Sequence, residues 1–218
     1  MTYEELRKRK DIRTYIKSAD DSLRAIGYTE HSFPHVTRVA KTAGEILLKL
    51  GYGEHEAELA KIAGYLHDVG NLVNRIDHSQ SGAIMAFFLL DRLGFSAKEI
   101  ATIATAIGNH DEKTGAPVNP IAAALILADK SDVRRSRVRN RDTATFDIHD
   151  RVNYSVLHAS LKIDRAHTEM RLDLAIDTAI SSVMEYFEIF LDRMILCRRA
   201  AEALNLRFRL SVNGHVLL

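Results

Sequence analysis

Six residues with metal-ligand chemistry are strung through the first 129 positions: His35, the pair His67-Asp68, His78, His110 and Asp129. A chain that uses them together must fold several separate segments onto one point. Imidazole nitrogens and carboxylate oxygens, once brought together, would hold one or two first-row transition ions. The six lie at or near the ends of apolar helical patterns. Helix ends that converge on one pocket can present ligands from several elements while the packed helices fix the geometry.

The pattern is helical to about residue 133. Residues 2–26 predict one or two short helices. Pro34 suits the first turn of the next, with Ser32 as its cap, and Val36, Val39, Ala40, Ala43, Ile46, Leu47 and Leu50 form a stripe at helical spacing up to Gly51. A helix is expected from about Glu54 to Asp68, stopped at Gly70, and another from about His78 to Gly94. Ser96-x-x-Glu99 reads as a capping box for a helix ending near Asn109. Asn119-Pro120 opens a further one through Ala128-Asp129.

Beyond residue 134 the character changes. Arg134, Arg135, Arg137, Arg139 and Arg141 crowd a polar segment without a clear period. Leu157, Ala159, Leu161 and Ile163, then Met170, Leu172, Leu174 and Ile176, alternate as two half-buried strands turning near 165–168. A long helix is expected over about 178–204, with Ile180, Val183, Met184, Phe187, Leu191, Met194 and Ile195 on one face. Phe208, Leu210 and Val212 alternate up to Asn213-Gly214, a strong hairpin signal, and His215–Leu218 form the return strand. The expected fold is mainly α: a helical bundle over 1–140 and a β-β-α-β-β module over 141–218.

Composition excludes several classes. The chain has 218 residues, 46% hydrophobic and 27% charged, as in ordinary globular proteins. A net charge of +1 gives no general drive toward nucleic acid or a membrane surface. The one cysteine, Cys197, excludes an intrachain disulfide and suits a reducing compartment, so a cytoplasmic location is expected. The polar start Met-Thr-Tyr-Glu-Glu is unlike a secretory signal, and no apolar run reaches membrane-spanning length.

Two positions favour ligation on physical grounds. A carboxylate at the C-terminus of a helix opposes the helix dipole, so Asp68 is unfavourable there without a cation. Asp129 follows the wholly apolar stretch Ile121–Ala128, which draws it toward the core, and a buried carboxylate needs a partner. His-Asp occurs three times, at 67–68, 110–111 and 149–150, but only the first has apolar helix before it and glycine two residues on.

The order His, His-Asp, His, His, distal Asp resembles the HD superfamily of metal-dependent phosphohydrolases over roughly residues 30–140. Asp68-x-Gly70 and His78-x-x-x-Gly82 strengthen the likeness, and Asn109–Gly115 is similar to an element of the HD-GYP phosphodiesterases. Asn109 replaces a histidine of that element, Asn71 stands where many members carry lysine, and the Gly-Tyr-Pro signature is missing, so that branch's cyclic dinucleotide specificity is not implied. The resemblance implies an HD-type bundle and hydrolysis of a phosphate ester, of a nucleotide or related small molecule, by metal-activated water. His35, His67, Asp68 and Asp129 would hold one divalent ion (Fe, Mn, Zn, Ni or Co). His78 and His110, bridged by Asp68, would hold a second, and Asp68 would also act in catalysis. His31 is a further ligand candidate. Asn71, Lys130, Arg134 and Arg135 are candidates for contacting substrate, because guanidinium groups match phosphate oxygens in pairs. His149, His158, His167 and His215 are read as structural. Two other functions fit the chain: a mixed-valent diiron oxygenase on the same ligands, and a nucleotide sensor. The C-terminal module is expected to cover the bundle or form a homo-oligomer contact, without supplying ligands.

Overall fold

A computed structural model describes residues 1–217, so Leu218 of the expected return strand lies outside the described residues. The chain begins with α1 (Tyr3–Leu6) and α2 (Lys10–Ala25), followed by α3 (Phe33–Lys49), α4 (Glu54–Leu66), α5 (His78–Arg92), α6 (Ala97–Gly108) and α7 (Pro120–Lys130). The helix starts follow local chemistry. Ser96 and Glu99 form the expected capping box of α6, and Asn119 Oδ1 accepts from the Ala122 amide at the start of α7. Ser32 is the N-cap residue of α3 but does not cap it with its side chain. Its amide and hydroxyl both donate to Glu30 Oε1, at 2.6 Å each.

Helix α7 is the centre of the bundle. Every residue from Ile121 to Lys130 is buried, as expected of a helix apolar on all sides. It packs on α3, α4, α6 and the later helix α9 (Val183–Ala203). The ligand candidates therefore meet at one end of the bundle. His35 is in the first turn of α3, His67-Asp68 follows the last turn of α4, His78 opens α5, and His110 and Asp129 lie where α6 and α7 finish. A short 3-10 turn, Val69–Leu72, carries the chain from α4 toward α5. A β-carbon on Gly70 would collide with the His78 carbonyl oxygen and the Gly82 amide. Only glycine lets this turn rest on the α5 backbone, which sets Asp68 beside His78.

Residues 134–147 hold two more 3-10 turns, and α8 (Ile148–Ser155) follows, a helix hidden from periodicity by its polar composition. Strands β1 (Val156–Ile163), β2 (Glu169–Ile176), β3 (Arg207–Val212) and β4 (His215–Val216) form one sheet in that order. β1 and β2 are an antiparallel hairpin, β2 and β3 are parallel across α9, and β3 and β4 pair through Asn213-Gly214. The β-β-α-β-β order and the mainly α fold are as expected. One hydrophobic core runs from the bundle into the sheet and α9.

The buried face of α9 differs from the expected stripe. Tyr186, Phe190, Met194, Cys197, Ala200 and Ala201 are buried, while Met184, Leu191 and Ile195 are exposed. The helix carries two apolar stripes. The one with small residues and cysteine meets α7 and β3, where close approach decides. No helix among the described residues is long and apolar enough to cross a membrane.

Candidate metal centre

Three histidines are oriented by the helix ends that carry them. His67 Nδ1 donates to the Gly64 carbonyl at 2.8 Å, His78 Nδ1 to Arg75 at 3.1 Å and His110 Nδ1 to Ile107 at 2.6 Å. Each acceptor is the carbonyl three residues earlier. A carbonyl cannot donate, so Nδ1 carries the hydrogen in each ring. His35 Nδ1 meets Asp132 Oδ2 at 2.8 Å instead. All four Nε2 atoms are thereby left to face one another, the arrangement that orients histidine ligands in metal sites.

Around these nitrogens the carboxylates close in. His35 Nε2 lies 3.4 Å from Asp68 Oδ2 and 3.3 Å from Asp129 Oδ1; His67 Nε2 lies 3.2 and 3.6 Å from the same two atoms. None of these pairs is aligned as a hydrogen bond. His35 Nε2, His67 Nε2 and Asp68 Oδ2 are buried polar atoms without a partner, which is costly unless something else satisfies them. An ion with bonds of about 2.1 Å holds its ligand atoms roughly 3.0–3.5 Å apart, so the residues fit a bound cation. Two donor trios have their atoms within 4.8 Å of one another, His35/His67/Asp129 and His67/Asp68/His110, with His67 in both. His78 joins from the side: its Nε2 is 3.2 Å from His110 Nε2 and 3.7 Å from Asp68 Oδ1.

Electrostatics match that arrangement. Burial would raise the Asp68 and Asp129 carboxyls, but His67 beside the first and Lys130 beside the second hold both well below the ordinary carboxylate range. Burial would also lower His67; Asp68 and Asp129 outweigh it and carry the imidazole up to about 10. His110 moves down, through burial and the charge of His67. The centre thus favours two carboxylate anions and, without a metal, a proton on His67.

The six residues line or border a cavity of about 630 Å³ between the bundle end, α8 and α9. A family model of the HD domain matches residues 33–151, more than half of the chain. The chain belongs to the HD domain family. It is also similar to an uncharacterized protein of Methanocaldococcus jannaschii, 26% identical over 162 residues that make up 64% of this chain and 62% of that one. The chain thus spans under two thirds of that relative's length. Among solved structures it is similar to a predicted HD superfamily hydrolase from an uncultured Thermotogales bacterium, at 26% identity and a TM-score of 0.47, over 62% of this chain and 75% of that one.

Not every expected site residue of this HD domain reaches the cavity. Arg134 and Arg135 do not line it. Arg134 Nε and Nη2 bond Asp132 at 2.6 and 3.0 Å, and Arg135 Nε bonds the Tyr154 carbonyl with its guanidinium over the Tyr154 ring. The turn at 135–137 brings Arg137 to the cavity instead. Asn71 acts one step back, its amide donating to Asp68 Oδ1 at 2.9 Å. Lys130 lines the cavity with its ammonium between Asp129 (2.7 Å) and Glu112 (3.3 Å). His31 lines it too, its Nδ1 donating to the Thr29 carbonyl at 2.7 Å, but it enters neither trio. His149, read as structural, lines the cavity because α8 carries it there.

Several contributors escaped the sequence. Asp132 anchors His35; its spacing of three from Asp129 was the available signal. Glu112 and Arg193 extend the charge chain, with Arg193 Nε donating to Glu112 at 2.9 Å. That contact joins α9 to the metal centre across 81 positions, and no local pattern announces it.

Proposed function

We infer that this HD-family protein is a metal-dependent phosphohydrolase acting on a phosphate ester of a nucleotide or related small molecule. The observation that carries the reading is the convergence of four Nε2 atoms and two ionised carboxylates, three of their atoms buried without a partner, at the closed end of a cavity that also holds cations. A bound divalent ion would supply Lewis acidity and lower the pKa of a coordinated water. His35, His67, Asp68 and Asp129 would hold it, and His78 and His110, with Asp68, would hold a second ion toward the open cavity.

The chain's own residues do the rest. Asp68 presents Oδ2 to His35 and His67 while Asn71 pins Oδ1, so the carboxylate cannot rotate away. Ionised and buried, it would accept a hydrogen bond from water held beside it and so orient that water. Asp132 keeps His35 in the tautomer with Nε2 free. Cations lining the cavity offset charge that develops on phosphoryl oxygens. Purified protein should be assayed for metal content and then for phosphate release from nucleotides and simple esters with Mn, Fe, Ni, Co and Mg. The expected result is metal-dependent release, abolished by chelator and by His67→Ala. Turnover that requires oxygen and releases no phosphate from any ester would establish the oxygenase reading instead.

A further inference from the structure

The charges lining the cavity are unevenly matched. Lys130 is held by Asp129 and Glu112, Arg193 by Glu112, and Arg137 lies 3.8 Å from Asp132. Arg75 differs. Among the described residues no carboxylate lies within 4 Å of its guanidinium, although it lines the cavity beside Asp68, His78 and His110. It is nonetheless well placed. Nη1 donates to Asn71 Oδ1 at 3.4 Å and sits 3.3 Å from His78 Nε2, and the group rests 5.4 Å from the Tyr28 ring centroid. Asn71 in turn holds Asp68, so one amide ties Arg75 to the metal centre. A guanidinium placed by these contacts and free of carboxylates has N–H groups left for an anion, and its fork matches phosphate oxygens.

The exposed rim is mostly acidic, with Lys113 as its one lysine. Asp77, Asp111, Asp147, Asp150 and Asp192 line it, each at least partly exposed, and none has a cationic partner within 4 Å among the described residues. Carboxylates there accept hydrogen bonds from hydroxyl or amino groups and repel a second anionic group.

We propose that the site takes a phosphate monoester whose phosphoryl oxygens lie on Arg75 and whose organic part carries hydroxyl or amino groups but no further acidic group. This rests on the phosphohydrolase reading and narrows its substrate to one charged end. A di- or triphosphate would set its outer phosphates against the carboxylate rim.

The test is calorimetry on the full-length, metal-loaded protein. Orthophosphate is the first probe; sn-glycerol 3-phosphate and 3-phosphoglycerate, which differ by one carboxylate, are the second pair. Arg75→Met should weaken orthophosphate about 10- to 100-fold with metal content unchanged, and Arg75→Lys should weaken it less. Glycerol phosphate should bind about tenfold tighter than phosphoglycerate, and Asp192→Asn should narrow that gap. The second comparison uses the unaltered protein and so holds even if an Arg75 variant folds poorly. Orthophosphate binding that is unchanged in Arg75→Met at equal metal content overturns the proposal. So does phosphoglycerate binding as tight as glycerol phosphate, or a metal content that rises in Arg75→Met, since the guanidinium would then be holding an ion's place. Phosphate binding through Arg75 with no ester cleaved would support the anion site and remove the hydrolase reading.

Discussion

At the scale of single residues, the centre is built from groups held by something other than the ion. His67, His78 and His110 owe their orientation to a carbonyl three residues back, and His35 to Asp132. Asp132→Asn should therefore cost about 10- to 100-fold in metal affinity, as loss of a histidine's outer partner does, while the circular dichroism of the fold stays as it was; unchanged affinity would show that Asp132 only braces Arg134. A second expectation concerns pH. His67 in the metal-free protein keeps its proton up to about 10, and a metal must displace it. Below that value the apparent affinity should rise about tenfold per pH unit, so titrations at pH 6, 7 and 8 should give a steep series, and a flat one would contradict the proton-for-metal exchange. Asp68 and Asp129 were legible because each is chemically out of place without a cation, an acid at a helix C-terminus and an acid after eight apolar residues; the four histidines stood out only through their order around that pair. Arg134 and Arg135 misled because nearness in sequence to Asp129 does not say which side of a turn an arginine leaves from. The turn at 135–137 sends Arg137 to the cavity in their stead.

At the scale of elements, helix ends and glycines were readable and helix faces less so. The Ser96/Glu99 box, Asn119-Pro120 and Asn213-Gly214 work through contacts a few residues apart, which sequence contains. The buried face of α9 depends on which of two apolar stripes meets α7, and periodicity is blind to that choice. Helix α8 was missed because a short polar helix has no stripe at all. Gly70 belongs to this scale. Gly70→Ala places a β-carbon in the α5 backbone, so the turn and the helix must separate. We expect a loss of about 1–3 kcal/mol in chemical denaturation together with weaker metal binding, because Asp68 and His78 lie on opposite sides of that contact. Loss of stability with metal affinity intact would mean that the two elements part without moving the ligands.

At the scale of the whole molecule, the bundle and the C-terminal module share one core, and Arg193 of α9 reaches the ligand candidate Asp129 through Glu112 and Lys130. The alternation of β2 and β3 showed that a covering layer was needed; that this layer would also brace the metal centre depends on a contact between positions 112 and 193, which no spacing reveals. Removing residues 150–218 should expose apolar surface on α7 and cause aggregation or loss of soluble protein, read by size-exclusion chromatography; a soluble, monomeric truncation that binds metal as tightly as the whole chain would show the module to be an appendage. If this end of the bundle is a metal centre, anomalous diffraction from crystals grown with saturating Mn or Fe should show a peak about 2.0–2.3 Å from His35 Nε2, His67 Nε2 and the Asp68 and Asp129 carboxylates; density with no peak among those four side chains would show that it is not.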